Sequence, residues 1–157
     1  MKKVNLLMGV LLILVSAVYA QTNKEEVDLY QSIFGMEKKA IVADFVKLKG
    51  VEATSFWDLY DQYETERKKH GQERIDLLHK YSKEYEDLTV ESTNSIMKEM
   101  ITLGNDYNKL IQKYYKSINK ASGAKAAAQF YQLEIYFQSA IRLTVMEQIP
   151  MIGEFDD

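Results

Sequence analysis

The chain has 157 residues, 46% hydrophobic, 11% aromatic and 27% charged, with one proline, seven glycines, no cysteine and a formal net charge of −3. That length supports one domain with a real core, and the apolar content argues against intrinsic disorder. The lack of cysteine excludes disulfides, thiolate zinc sites, iron–sulfur clusters and cysteine nucleophiles, and scarce proline and glycine argue against a turn-dense β-sandwich.

The chain opens MKKVNLLMGVLLILVSAVYAQ. Lys2 and Lys3 form a charged start, Val4 to Val15 is an apolar run broken only by Asn5 and Gly9, and Val18-Tyr19-Ala20 precedes Gln21 as a cleavage site. This pattern predicts a signal peptide over residues 1–20, a single all-α domain over 21–150 and a flexible C-terminal tail over 151–157. The apolar run is short for a membrane span, which takes about 20 residues, and no cysteine follows the cut to carry a lipid. Loss of Lys2 and Lys3 leaves 18 basic residues (20 less two) against 23 acidic ones, a balance of −5. That balance, with export to the periplasm or beyond, argues against a nucleic-acid partner. No later stretch is apolar for long enough to span a bilayer.

Thr22 and Asn23 are capping residues for a first helix with Glu25 and Glu26 in its first turn. Val27, Tyr30, Phe34, Ile41, Phe45 and Leu48 follow at helical spacing, Gly35 interrupts the pattern, and Gly50 is expected to end it. Ser55 with Asp58 resembles a capping box for a second, long helix reaching Glu86, with Phe56, Tyr60, Tyr63, Leu78, Tyr81, Tyr85 and Leu88 on one face. Thr89 begins the third, where Met97, Met100, Gly104, Tyr107, Ile111, Tyr114 and Ile118 alternate steps of three and four. After Ser122-Gly123, a fourth helix runs from Ala124 to Gln148 with Phe130, Leu133, Phe137, Ile141 and Val145 inward, and Pro150 stops it. Short breaks make successive helices antiparallel neighbours. The expected fold is therefore an elongated antiparallel bundle of about four helices, two of them long. Folding the second and third about Leu88-Thr89 puts Tyr63 near Tyr114, Tyr81 near Met97 and Arg74 near Gly104.

Arg67, His70 and Arg74 occupy the inner seam of the second helix, and Glu134 lies between Phe130 and Phe137 on the apolar face of the fourth. Charges facing a packed surface need partners, so these four are expected to form either a structural polar cluster or an anion pocket. Lys109, Lys113, Lys116 and Lys120 form a stripe on the third helix, either a solvated face near a helix C-terminus or a docking strip for acidic partners. Of eleven tyrosines, ten remain after Tyr19 leaves with the signal. Trp57, Tyr60, Tyr63, Tyr81, Met97, Met100, Tyr107 and Tyr114 make a candidate client surface, against the plainer reading that they pack a thin bundle. Glu66, His70 and Glu73 have spacings suited to one side of a weak metal site, but Glu-rich helices produce such spacings by chance. No Gly-rich phosphate loop, Glu-x-x-His pair or nucleophile elbow is present, so neither an enzyme nor a cofactor is expected.

Leu88-Thr89-Val90-Glu91-Ser92 resembles the Leu-Thr-x-x-Gln helix start of the Spy/CpxP-like group of periplasmic helical proteins, which has heavy-metal-resistance and envelope-stress members; Ser92 stands where glutamine is expected. Leu48-Lys49-Gly50-Val51-Glu52 is similar to a second such start, and Ile118 to Glu134 resembles the group's last helix start. Phe56-Trp57-Asp58-Leu59-Tyr60, with Gln132-Leu133-Glu134, also resembles exported proteins of Gram-negative bacteria that carry no settled function. The resemblance implies a four-helix cradle, often a homodimer, that binds unfolded clients or a sensor domain without ATP. The leading expectation is a periplasmic helical chaperone or envelope-stress adaptor. The alternatives are an accessory or sensory subunit of an envelope complex and a metal-responsive sensor.

Overall fold

The computed structural model describes residues 24–154, with side chains from residue 34 onward, so the expected signal peptide, the expected Thr22-Asn23 cap and the side chains of Glu25 to Tyr30 lie outside the described residues. The described residues hold four α-helices and no strand: α1 (Lys24–Phe45), α2 (Gly50–Glu84), α3 (Val90–Ser122) and α4 (Ala124–Gln148), with a short 3-10 turn at Tyr85–Asp87. At 1.5 Å per residue, the 35 residues of α2 and the 33 of α3 give two rods of about 50 Å. No helix among the described residues is long and apolar enough to cross a membrane.

The links explain where the helices stop. Thr89 caps α3: its hydroxyl accepts the Ser92 N–H, and the Ser92 hydroxyl accepts the Thr89 N–H. Between α3 and α4 only Gly123 intervenes, at φ 87°, a conformation that side-chain-bearing residues avoid. The first link departs from the sequence expectation. Helix α1 ends at Phe45, and Gly50, at φ 61°, opens α2 instead of closing α1. Ser55 and Asp58 consequently lie inside α2, and Lys49 precedes the helix without a side-chain cap. Phe45, expected inward, is exposed, because the chain turns away there and Val46 takes the buried place.

Lateral contacts fix an up-down-up-down order. Lys113 meets Glu66, Lys80 meets Glu99, and the Ser122 hydroxyl donates to the Glu52 carbonyl, so α2 and α3 run antiparallel in one register over their whole length. The rings of Tyr63 and Tyr114 lie 5.5 Å apart in that register. Helix α1 lies antiparallel to α2, with Phe34 beside Arg67 and Lys39 paired to Asp61.

Two hydrophobic clusters result. The larger joins Phe34, Val42, Phe56, Tyr60, Ile111, Ile118 and Phe130, drawing on all four helices. The smaller, around Leu77, Tyr81 and Ile96, sits near the α2–α3 turn. The start of the tail is anchored there: Tyr81 and Tyr85 donate their hydroxyls to the carbonyls of Pro150 and Met151. Residues 155–157 lie outside the described residues.

Candidate functional site

Two features stand out: a buried ionic cluster in the larger core and an open groove over the smaller one.

The cluster is centred on Lys38 and Glu134, both 0% exposed. Lys38 Nζ lies 2.8 Å from Glu134 Oε2 and 2.5 Å from Glu64 Oε1. The other oxygen of Glu64 accepts from Arg67 Nε at 2.9 Å. The Tyr63 hydroxyl donates to Glu134 Oε2 at 2.5 Å and stands 3.3 Å from the Tyr107 hydroxyl. Aromatic faces surround the cations: Lys38 Nζ is 4.9 Å from the centroid of Tyr63, and the Arg67 guanidinium is 5.2 Å from that of Phe34. Two cations and two carboxylates balance, which is the condition under which buried charge is tolerated.

Burial opposes ionisation of Lys38, but Glu134 and Glu64 outweigh it and hold the ammonium above its ordinary value. Burial also opposes ionisation of Glu64, and there Lys38 and Arg67 win, holding the carboxyl below its usual range. For Glu134 burial has the larger effect and pushes the carboxyl up against the pull of Lys38. Burial, with Glu134 beside it, also pushes the Tyr63 phenol well up, so it remains a donor.

This arrangement corrects the expected cluster. Glu134 is buried as its place on the apolar face requires, but its cation is Lys38 of α1, not Arg67 or Arg74. Arg67 is buried and turns to Glu64, one helical turn away on its own helix. His70 is half-buried, with Nδ1 3.2 Å from Glu73 Oε2 and its ring edge-on to Tyr107. Arg74 lies in the open groove. The four residues therefore do not converge on one pocket. Lys38 escaped the sequence reading because it sits in the charged run Glu37-Lys38-Lys39, although Phe34, Lys38 and Ile41 keep the four-and-three spacing of the buried stripe.

The aromatic client surface also divides. Tyr60, Tyr63, Tyr81 and Tyr114 are buried, Trp57 and Tyr107 are half-buried, and only Met97 and Met100 are exposed. The tyrosines pack the bundle because its interior supplies hydroxyl partners: Glu134 for Tyr63, Pro150 for Tyr81 and Glu66 for Tyr114. Burial and the Glu66 acceptor push the Tyr114 phenol up to about 12. The lysine stripe is exposed but not uniform. Lys109 pairs with Asp106 and Lys113 bridges to Glu66, leaving Lys116 and Lys120 at its far end. Glu66 is thereby committed to Lys113 and Tyr114, away from His70 and Glu73, and the described residues contain no group of three His, Cys, Asp or Glu placed to hold a metal ion.

The groove lies between α2, α3 and α4. One cavity of about 270 Å³ is lined by apolar side chains including Tyr81, Ile96, Met97, Ile149 and Ile152. An adjoining cavity of about 440 Å³ shares Leu78, Met100, Val145 and Met146 with it and adds Arg74, Arg142, Asn105 and Asn108. Arg74 and Gly104 line the same stretch, in the register expected of the hairpin. Burial lowers Arg74, and the neighbouring Arg142 cation lowers it further. Met100 is 44% exposed, Met146 55% and Ile101 60%, so the trough is an accessible apolar surface.

No family model, no curated protein and no solved structure matches this chain.

Proposed function

We propose that this chain is an exported, ATP-independent helical binding protein, a periplasmic chaperone or envelope-stress adaptor, that holds apolar segments of client or partner proteins in the groove between α2, α3 and α4. The observation that carries the reading is the uncovered methionine-rich trough, with Met97, Met100 and Met146 exposed along it. Unbranched, polarizable methionine side chains repack around differently shaped partners. The larger core with its ionic cluster lies elsewhere, so the groove is separate from the most deeply buried part of the bundle. The action is binding and release, with no chemical step.

The test is suppression of aggregation of a model client by the purified protein. Met100→Glu with Met146→Glu places charge in the trough at exposed positions, where substitutions change stability by about 0.5 kcal/mol or less. The double variant is expected to melt like the wild type and to lose suppression. Retained suppression would remove the groove from the mechanism.

A second reading, a subunit dedicated to one envelope partner, is favoured by Arg74 and Arg142 at one end of the trough, since fixed charge selects among partners. Crosslinked pull-downs separate the two: many captured proteins support the chaperone, one dominant protein the subunit.

A further inference from the structure

We infer that the groove takes a helical segment of a partner protein, oriented with a carboxylate-bearing C-terminal end against Arg74 and Arg142. This rests on the protein-binding reading above and names the class of segment.

Three observations carry it. Among the described residues, the Tyr81 end of the trough offers no free hydrogen-bonding side chain, because the Tyr81 hydroxyl already donates to the Pro150 carbonyl and the rest of that lining is apolar. An extended backbone laid there would leave N–H and C=O groups unpaired, whereas a helix satisfies its own. The trough follows α3 from Ile96 to Asn108, about 18 Å at 1.5 Å per residue, which matches a helix of about 12 residues.

The ends of the trough carry opposite charge. Arg74 and Arg142 lie together at one end, and among the described residues neither has a carboxylate partner. Glu154 lies at the other end, where its carboxylate accepts from the N–H of Met151, a residue of that lining. A helix carries partial positive charge at its N-terminus and partial negative charge at its C-terminus, so this polarity selects one direction. Carboxylates in the last turn of the guest would give the two guanidinium groups the planar acceptors they lack.

The experiment is fluorescence anisotropy with the purified protein and labelled amphipathic peptides of about 12 residues. One carries leucines along one face and two glutamates in its last turn. The second has glutamines in place of those glutamates, and the third moves the glutamates to the first turn. The first is expected to bind tighter than either of the others by about tenfold or more, the scale of a hydrogen bond to a charged group. Arg142→Gln and Arg74→Gln should each erase most of that advantage and leave the glutamine peptide unchanged, with melting curves confirming folded protein. Equal affinity for all three peptides overturns the inference. So does binding that emerges only after residues 155–157 are removed, which would make the chain's own tail the occupant, or a dimer that Met100→Glu dissociates while no peptide binds. If no peptide binds yet client aggregation is still suppressed through the groove, the inference fails and the proposed function stands; if both fail, both fall.

Discussion

Lys38 Nζ lies 2.8 Å from Glu134 Oε2 with both side chains withdrawn from solvent, and this contact ties the first described helix to the last. The interface of α1 with the rest of the bundle joins buried Phe34, Ile41 and Val42 to ionic contacts: Lys38 reaches Glu134 and Glu64, and Lys39 reaches Asp61. Buried pairs of this kind are weak sources of net stability, because desolvation cancels much of the attraction. They are costly to break, however, because the survivor is left charged in a dry site. The cluster therefore sets the register of α1 more than it adds to the depth of the folded state.

Single removal and paired removal should differ in consequence. Lys38→Met is expected to destabilise by about 3–5 kcal/mol, the usual cost of an orphaned buried charge, and Glu134→Leu by a similar amount. The double variant leaves Glu64 with Arg67, so its charge remains balanced, and its loss should be smaller than the sum of the two. Denaturant midpoints of the four proteins give the coupling. Strict additivity would mean that the two groups do not depend on each other.

The acid side of the stability curve should depend on Glu64. Its carboxyl is held below the ordinary value of 4.5, so its contribution is full above that value and is lost as pH falls through the folded value. Glu134 acts with the opposite sign. Its raised carboxyl contributes most below the unfolded value and loses that contribution as pH rises through the folded value. Glu64→Gln should therefore flatten the loss of stability on acidification, and Glu134→Gln should steepen it. Unfolding free energies measured across the acid range in the three proteins check both signs.

Two buried tyrosines one turn apart should respond differently to loss of the hydroxyl. Tyr63 donates to Glu134 at 2.5 Å, so Tyr63→Phe is expected to cost about 1.5–3 kcal/mol, the range for hydrogen bonds to charged groups. Among the described residues the buried Tyr60 hydroxyl has no partner, so Tyr60→Phe should be neutral or stabilising. Thermal melts of both variants suffice, and equal losses would show that the hydroxyls are not distinguished by their partners.

The residues that make this fold legible in the sequence are those whose signal is local. The Leu88-Thr89 break, the Ser122-Gly123 break and the spacing of Tyr63, Tyr81 and Arg74 against Tyr114, Met97 and Gly104 define the long hairpin without tertiary information. Glu134 is conspicuous because it interrupts an apolar stripe between Phe130 and Phe137. Lys38 interrupts a stripe too, but two charged neighbours disguise it as part of a solvated face. Its partner is also distant in sequence, so no local rule pairs them. The tyrosines misled for a related reason. An amphipathic ring suits a half-wet surface or a core that happens to hold an acceptor, and only the packed bundle shows Glu134 and the Pro150 carbonyl waiting for those hydroxyls. The groove is a feature of three helices at once, and Arg142 meets Arg74 there without any sequence pattern linking them.

Gly35 shows how a position that weakens a helix on paper can be required by what crosses it. A Cβ built at Gly35 would lie 3.2 Å from Glu64 Oε2 and 3.8 Å from Arg67 Nη2, so α1 is glycine where it passes over the Glu64–Arg67 pair. Alanine in a helix interior is ordinarily worth about 1 kcal/mol over glycine. Here that gain is opposed, because Glu64 is held from both sides by Lys38 and Arg67 and has little freedom to retreat. Gly35→Ala is therefore expected to be neutral or destabilising in the wild type. In a Glu64→Ala background the obstruction is gone, and the same substitution should recover about 1 kcal/mol. Comparing chemical denaturation of the single and double variants isolates this dependence. A full gain in both backgrounds would show that the approach of α1 to the ion pair is looser than these distances imply.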